Sequence, residues 1–377
     1  MLKTGKCRKG MCIVFAGLMA VNSASYGGVM HAAEPVENHI ELPAYSLTPD
    51  SPEWSRMSYV EQLAACNLSE EQLVNLSTDD LLDLALDYPF AIDVLGFDTY
   101  EMGIEHLKAT SNVYKLMFLR DDLKDAVINK YNDIDEEIQK MYLDVISGYL
   151  WNEGELDDTE KMSLFSLQSS DEEEVFGNFL IDALCNFGVD EEEVASYSSR
   201  SGYFVVISQG VSYNGATYSA GLYYDYGTSA SCYKYTSGDY TPQQQANINS
   251  AFSGAHSGWV FTGTATRKYN NHSYCWIMQS TANTYWLPNP SNFMGATAYF
   301  TDNGANCAIS NGDRIVIYSS SGIAHSAAAR SASSGISAVS RMTTTTVESK
   351  FGSLGLYKTT LYDAYNYYSG VYYKGYT

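Results

Sequence analysis

Cys275, His325 and Glu348, in that order in the last third of the chain, are the residue types a thiol hydrolase needs. A thiol attacks only when ionised, which a neighbouring imidazole base and the amide dipoles at a helix start both favour, while a polar group must orient the imidazole. Cys275 lies in the run Asn270-Asn271-His272-Ser273-Tyr274-Cys275-Trp276. That run reads as a helix from about His272 to Thr281 with Asn271 as its cap. His325 follows the strand-like run Arg314 to Tyr318 and a turn at Gly322, and Glu348 is the polar candidate to orient it. His272 is a weaker candidate base, because it shares a helix with the thiol. No Gly-x-Ser-x-Gly elbow, phosphate loop, dinucleotide fingerprint or His-Glu-x-x-His occurs. His39, His106, His256, His272 and His325 are too scattered for a zinc site, so neither metal nor cofactor is expected.

These residues sit in a segment of short runs rich in Tyr, Val, Ile and Thr, broken by Gly, Ser and Asn, the pattern of strands. The strands expected are 203–208, 216–224, 296–300, 314–318, 323–328, 336–342 and 365–373, with a helix over 242–252. The first half reads instead as helices. Ser69 and Gln72 have the spacing of a capping box, and Thr78, Asp79 and Asp80 precede the apolar run Leu81 to Leu86, which Pro89 ends. Further apolar stripes run over 113–119, 123–128 and 134–146, enough for a small bundle.

Charge divides the chain at the same place. Residues 34–200 carry 38 acids and 9 bases, whereas 201–377 carry 6 acids, 9 bases and 22 of the 32 tyrosines. The reading is therefore an α+β protein in two domains, an acidic all-α bundle at 40–198 and an α+β module with an antiparallel sheet at 200–377. A formal charge of −22 argues against nucleic acid as a partner. No apolar run approaches the roughly 20 residues of a membrane-spanning helix. The Asp-Glu-Glu-Glu-Val segments at 171–175 and 190–194 read as solvated helix starts, without the ligand pattern of a calcium loop. The tyrosines read first as a half-wet sheet and second as a face for glycan or peptide.

Lys3, Lys6, Arg8 and Lys9 precede an apolar stretch from Met11 to Val21 and then small residues, the layout of a secretory signal over 1–33. The expectation is a secreted or cell-surface protein. Without that segment the cysteines are Cys66, Cys185, Cys232, Cys275 and Cys307, an odd number in which Cys232 and Cys307 form one conceivable pair.

The run Tyr-Asn-Asn-His-Ser-Tyr-Cys-Trp at 269–276, the Gly-Asp at 312–313, the His-Ser at 325–326 and Ser-Lys-Phe-Gly at 349–352 resemble secreted bacterial papain-like cell-wall amidopeptidases of the NlpC and CHAP kinds, over about residues 242–373. The resemblance implies a papain-like fold for the second domain and a peptide or cell-wall glycopeptide as partner. It also places the expected nucleophile on Asn271, with Cys275 one turn further along. One turn is about 5.4 Å of rise, far beyond the tolerance of a nucleophile-base contact. Two readings stand open: a thiol hydrolase rebuilt around Cys275 with His325 as base, or a degenerate module in which Cys275 is a packing residue. A non-catalytic cell-surface binding protein is the alternative function, and the acidic domain as an inhibitory cover over the second is a third reading.

Overall fold

The computed structural model describes residues 42–131, 133–153, 202–213, 215–332 and 337–377. The signal-like segment, both Asp-Glu-Glu-Glu-Val segments and Cys185 lie outside the described residues. The first half supplies α1 (Tyr59–Cys66), α2 (Glu70–Leu73), α3 (Thr78–Leu86), α4 (Tyr100–Thr110), α5 (Asn112–Met117), α6 (Leu123–Lys130) and α7 (Glu137–Asn152), with a 3-10 turn at Ala91–Leu95. Their starts follow from local chemistry. Ser58 with Glu61, Ser69 with Gln72 and Ser77 with Asp80 each close a reciprocal capping box, satisfying backbone N–H groups that a first turn leaves without partners.

The second half contributes β1 (Tyr203–Tyr213), β2 (Ala216–Asp225), β3 (Thr228–Ser237), α8 (Pro242–Ala255), β4 (Val260–Gly263), α9 (Asn271–Trp276), β5 (Tyr285–Trp286), α10 (Ser291–Met294) and β6 (Asp302–Ala305). Then come β7 (Arg314–Ser319), β8 (Gly322–Ser331), α11 (Ala338–Thr344), β9 (Thr346–Lys350), β10 (Leu356–Thr360), α12 (Leu361–Tyr367) and β11 (Tyr372–Tyr376). Among the described residues the strands form two sheets, β1-β2-β3-β5 and β4-β10-β9-β8-β7-β11-β6. Each pairing is antiparallel, so the protein is α+β with antiparallel sheets.

Several expected elements change. Residues 296–300 form turns after α10 instead of a strand. Ser337 caps a helix where 336–342 read as extended. The tyrosine-rich stretch 365–373 is split: Thr360 accepts from the Asp363 N–H and starts α12, and only from Tyr372 does the chain pair with β7. Around Cys275 the cap is Asn270, not Asn271, and the helix stops at Trp276, five residues short of Thr281.

The seven-stranded sheet separates two packed layers. Ile315, Ile317, Ala327, Ala329, Val347 and Tyr357 face a core shared with α8, α12 and the helices of the first half. Val316 and Tyr376 face another core, built with Cys275, Trp276, Leu287, Phe293 and residues of β2 and β3. The first core crosses the compositional boundary at Arg200. Trp54 donates from its indole to Ala255 O at 2.8 Å, and Asp93 Oδ1 lies 2.7 Å from His256 Nε2 with both side chains fully buried. Residues 42–377 are accordingly one compact unit. The shift in charge marks a change from helix to strand, and the packing continues across it.

Candidate functional site

The α9 start is held by side-chain amides. Asn270 Oδ1 accepts from the N–H groups of Ser273 at 3.0 Å and Leu287 at 3.1 Å, which fixes the first turn onto the neighbouring chain. Its Nδ2 donates to Leu287 O and to Asp98 Oδ2. Asn271 is engaged at both ends of its carboxamide: Nδ2 donates to Asp98 Oδ1 at 3.1 Å and Oδ1 accepts from Ser326 N at 3.0 Å. His272 Nδ1 lies 2.8 Å from Ser326 Oγ, and the Trp276 indole donates to the same hydroxyl. His272 Nε2 stands 3.7 Å from Asp98 Oδ2.

Charge is suppressed throughout this cluster. Burial pushes His272 down to about 3 and Asp98 up to about 7, the latter held back by its bonds to Asn270 and Asn271 and by the charge of Lys350. Lys350, itself fully buried, donates to Thr266 O, Gly352 O and Leu354 O. Burial pulls its ammonium down to about 7, against the opposing pull of Asp239 and Asp98. Three backbone carbonyls explain how an amine survives there, since an unpaired buried ammonium would be far costlier.

Cys275 is 1% exposed, and its thiol donates to Ala327 O at 3.4 Å. Burial pushes the thiol up to about 12, although Arg314 and Arg330 pull the other way. A thiol so placed is un-ionised at neutral pH and shielded from solvent. It occupies the core that faces Val316.

His325 belongs to the other face. In β8 it alternates with Ser326 and pairs opposite Ile317, and its ring stacks 4.0 Å from Tyr368 and 5.3 Å from Phe351. Nε2 lies 2.6 Å from Ser349 Oγ, whose hydroxyl also reaches Ser326 O at 3.0 Å. With the hydroxyl proton on Ser326 O, Nε2 carries the imidazole proton and donates to Ser349. Nδ1 is then a buried lone pair with no hydrogen-bond partner among the described residues. Burial, and next the nearby His272, hold the ring well below its ordinary range, so it is neutral.

Glu348 does not orient His325. Its Oε2 accepts from Tyr274 Oη at 2.8 Å and Arg330 Nε at 2.7 Å on the α9 side of the sheet. Side chains alternate along a strand, so the two neighbours Glu348 and Ser349 must face opposite ways, and the one beside His325 is Ser349. The three residues selected from sequence are thus dispersed, with Cys275 and Glu348 against one face and His325 on the other. Cys232 and Cys307 are both free thiols, and Cys232 donates to Trp286 O, which removes the conceived disulfide.

Asp98, Ser349 and Lys350 were missed. Ser349 was accessible from strand alternation had the register been known; Asp98, about 170 residues from α9 in a helical segment, carried no signal. Chemically, the cluster offers a neutral imidazole anchored at Nε2 and, among the described residues, no nucleophile bonded to Nδ1. No protein-family model, curated protein or solved structure matches the chain.

Proposed function

We propose that the second half is a papain-like thiol hydrolase module that has lost hydrolysis and acts, after export, as a silent homologue at the cell surface. The observation that carries this reading is Asn271. It stands where the resemblance expects the thiol, and both ends of its carboxamide are already bonded, to Asp98 and to Ser326. A carboxamide cannot serve as the acyl acceptor in thiol chemistry. His325 supports the same reading: Nε2 is fixed by a polar residue of the adjacent strand, as an orienting group would fix it, and Nδ1 is left without a proton to take. Cys275 cannot substitute, because the strand backbone of β8 lies between it and the imidazole. The ligand class under this reading remains a peptide or cell-wall glycopeptide, bound without turnover.

The test is alkylation and turnover on the mature chain. Iodoacetamide should leave Cys275 unmodified at pH 8 until the protein is unfolded, and cell-wall stem peptides should survive incubation. Hydrolysis that is abolished in Cys275→Ala or His325→Ala, with folding intact, overturns the reading.

A further inference from the structure

The segment Leu95–Asp98, which leads from the 3-10 turn into α4, touches the second half through four successive residues. Leu95 O accepts from the N–H of Ser353 at 3.1 Å and from its hydroxyl at 3.3 Å. Gly96 O accepts from Tyr368 Oη at 2.8 Å. The Phe97 ring stacks on Tyr367 at 5.4 Å and meets Tyr368 edge-on at 5.2 Å. Asp98 then bonds Asn270 and Asn271. Contact is close enough that a Cβ on Gly352 would fall 2.3 Å from Phe97 O.

We infer that Leu95–Asp98 is an autoinhibitory strap, which closes the site at position 271 and at His325 independently of the missing thiol. The inference rests on the papain-like reading of the second half. Its geometric basis is that one short segment reaches both members of the would-be pair. Asp98 holds the side chain at 271 directly, and Gly96 fixes Tyr368, whose ring lies 4.0 Å above the His325 imidazole. The strap is not a detachable pro-region, because Leu95 and Phe97 belong to the core that also contains Phe252, Phe351 and Tyr367. Opening it therefore means a local displacement of a few residues, not release of the helical half. Two separate changes then keep the module silent, and repairing one leaves the other in force.

The experiment uses Asn271→Cys in the full mature chain as a reporter, alone and together with Asp98→Ala and Tyr368→Phe, which cut two of the three polar holds of the strap, those at Asp98 and Gly96, and leave the bonds of Leu95 O to Ser353. Iodoacetamide labelling is followed by mass spectrometry, with Cys275 as the internal measure of global opening. The expected result is a thiol at 271 labelled at least 100-fold more slowly than in unfolded chain, and at least tenfold faster once both holds are cut, with Cys275 unchanged. Asn271→Cys itself gives up the bond from 271 to Asp98 and keeps those of Asn270 and Tyr368 to the strap, so free labelling of this variant with Asp98 and Tyr368 unaltered overturns the inference, as does an unchanged rate after the cuts. Should the triple variant unfold, hydrogen exchange on the unaltered protein decides. Joint opening of 96–99 and 271–273 ahead of global unfolding supports the strap, and exchange at 271–273 while 96–99 stay protected overturns it. The papain-like reading fails separately, if the opened thiol at 271 has the same pH profile with and without His325→Ala.

Discussion

Ser349 Oγ lies 2.6 Å from His325 Nε2 on one face of the seven-stranded sheet, while its neighbour Glu348 points to the other face and bonds Tyr274 and Arg330. The pair gives the imidazole its orientation and its tautomer. Ser349→Ala leaves a buried imidazole nitrogen unsatisfied, at a cost of about 1–3 kcal/mol in denaturant unfolding. The His325 ring resonances should move in Ser349→Ala and stay in place in Glu348→Gln. A shift of His325 in the Glu348 variant alone would mean that the assigned strand register is incorrect.

That one-residue difference shows where sequence reading stops. The order of a Cys, a His on a strand and a later polar residue was legible, and so was the capping box at Ser69, because each rests on chemistry local in the chain. Register is not local. Which of Glu348 and Ser349 faces His325 depends on how β9 pairs with β8, and a shift of one residue exchanges the faces. Tyrosine-rich segments misled for a related reason: aromatic β-propensity favours strand over 365–373, but the Thr360–Asp363 cap and the burial of Leu361, Ala364 and Tyr367 on one helical face outweigh it. Asp98 was illegible because its partners, Asn270 and Asn271, come from a distant part of the chain.

Buried histidines make the fold acid-sensitive. Burial holds His106 at about 4, His272 at about 3 and His325 well below the ordinary range. In the unfolded chain each takes a proton near pH 6.5, so below that pH the unfolded state binds more protons and stability falls as pH falls. Asp98 acts in the opposite sense. Its folded value of about 7 lies above the unfolded value of about 3.9, so it gains a proton first in the folded state and adds stability as pH drops through that window. Among these four groups the three histidines outweigh Asp98 between pH 6 and 4, so their net effect is a loss of stability as pH falls. Melting temperature followed from pH 7.5 to 4 should fall steeply below pH 6.5. His106→Gln should flatten that slope by about a third to a half, and an unchanged slope would show that His106 is not held neutral by the fold.

Asp93 and His256 join the helical half to α8. Both side chains are fully buried, and the histidine is surrounded by Tyr59, Phe90, Phe252, Trp259 and Tyr367. Removing one partner leaves the other a buried polar group without its hydrogen bond, at a cost of about 1–3 kcal/mol. Since the same core contains residues of both halves, Asp93→Ala should lower one common unfolding transition. Far-ultraviolet circular dichroism, dominated by the helices, and tryptophan fluorescence should give the same midpoint in the parent and in the variant. Two separated midpoints would show that the halves fold independently despite the shared core.

Gly352 tests the approach of the strap backbone without altering any polar group in the cluster. Its φ of +47° is in the left-handed region, where a side chain costs about 1–2 kcal/mol, and an added Cβ would lie 2.3 Å from Phe97 O and 2.6 Å from Leu95 O. Those are backbone atoms of a segment anchored by Leu95 and Phe97 in the core, so they cannot yield as a flexible side chain does. Gly312 separates strain from contact: its φ is +89°, also positive, but nothing lies within 4 Å of its Cβ position. Gly312→Ala should therefore carry the conformational cost alone, about 1–2 kcal/mol in urea unfolding. Gly352→Ala should exceed it by a further 1–3 kcal/mol, roughly the cost of overpacking a filled interior, and should raise hydrogen exchange at 96–99. Equal losses in the two variants would mean that the Leu95–Phe97 backbone does not press on Gly352.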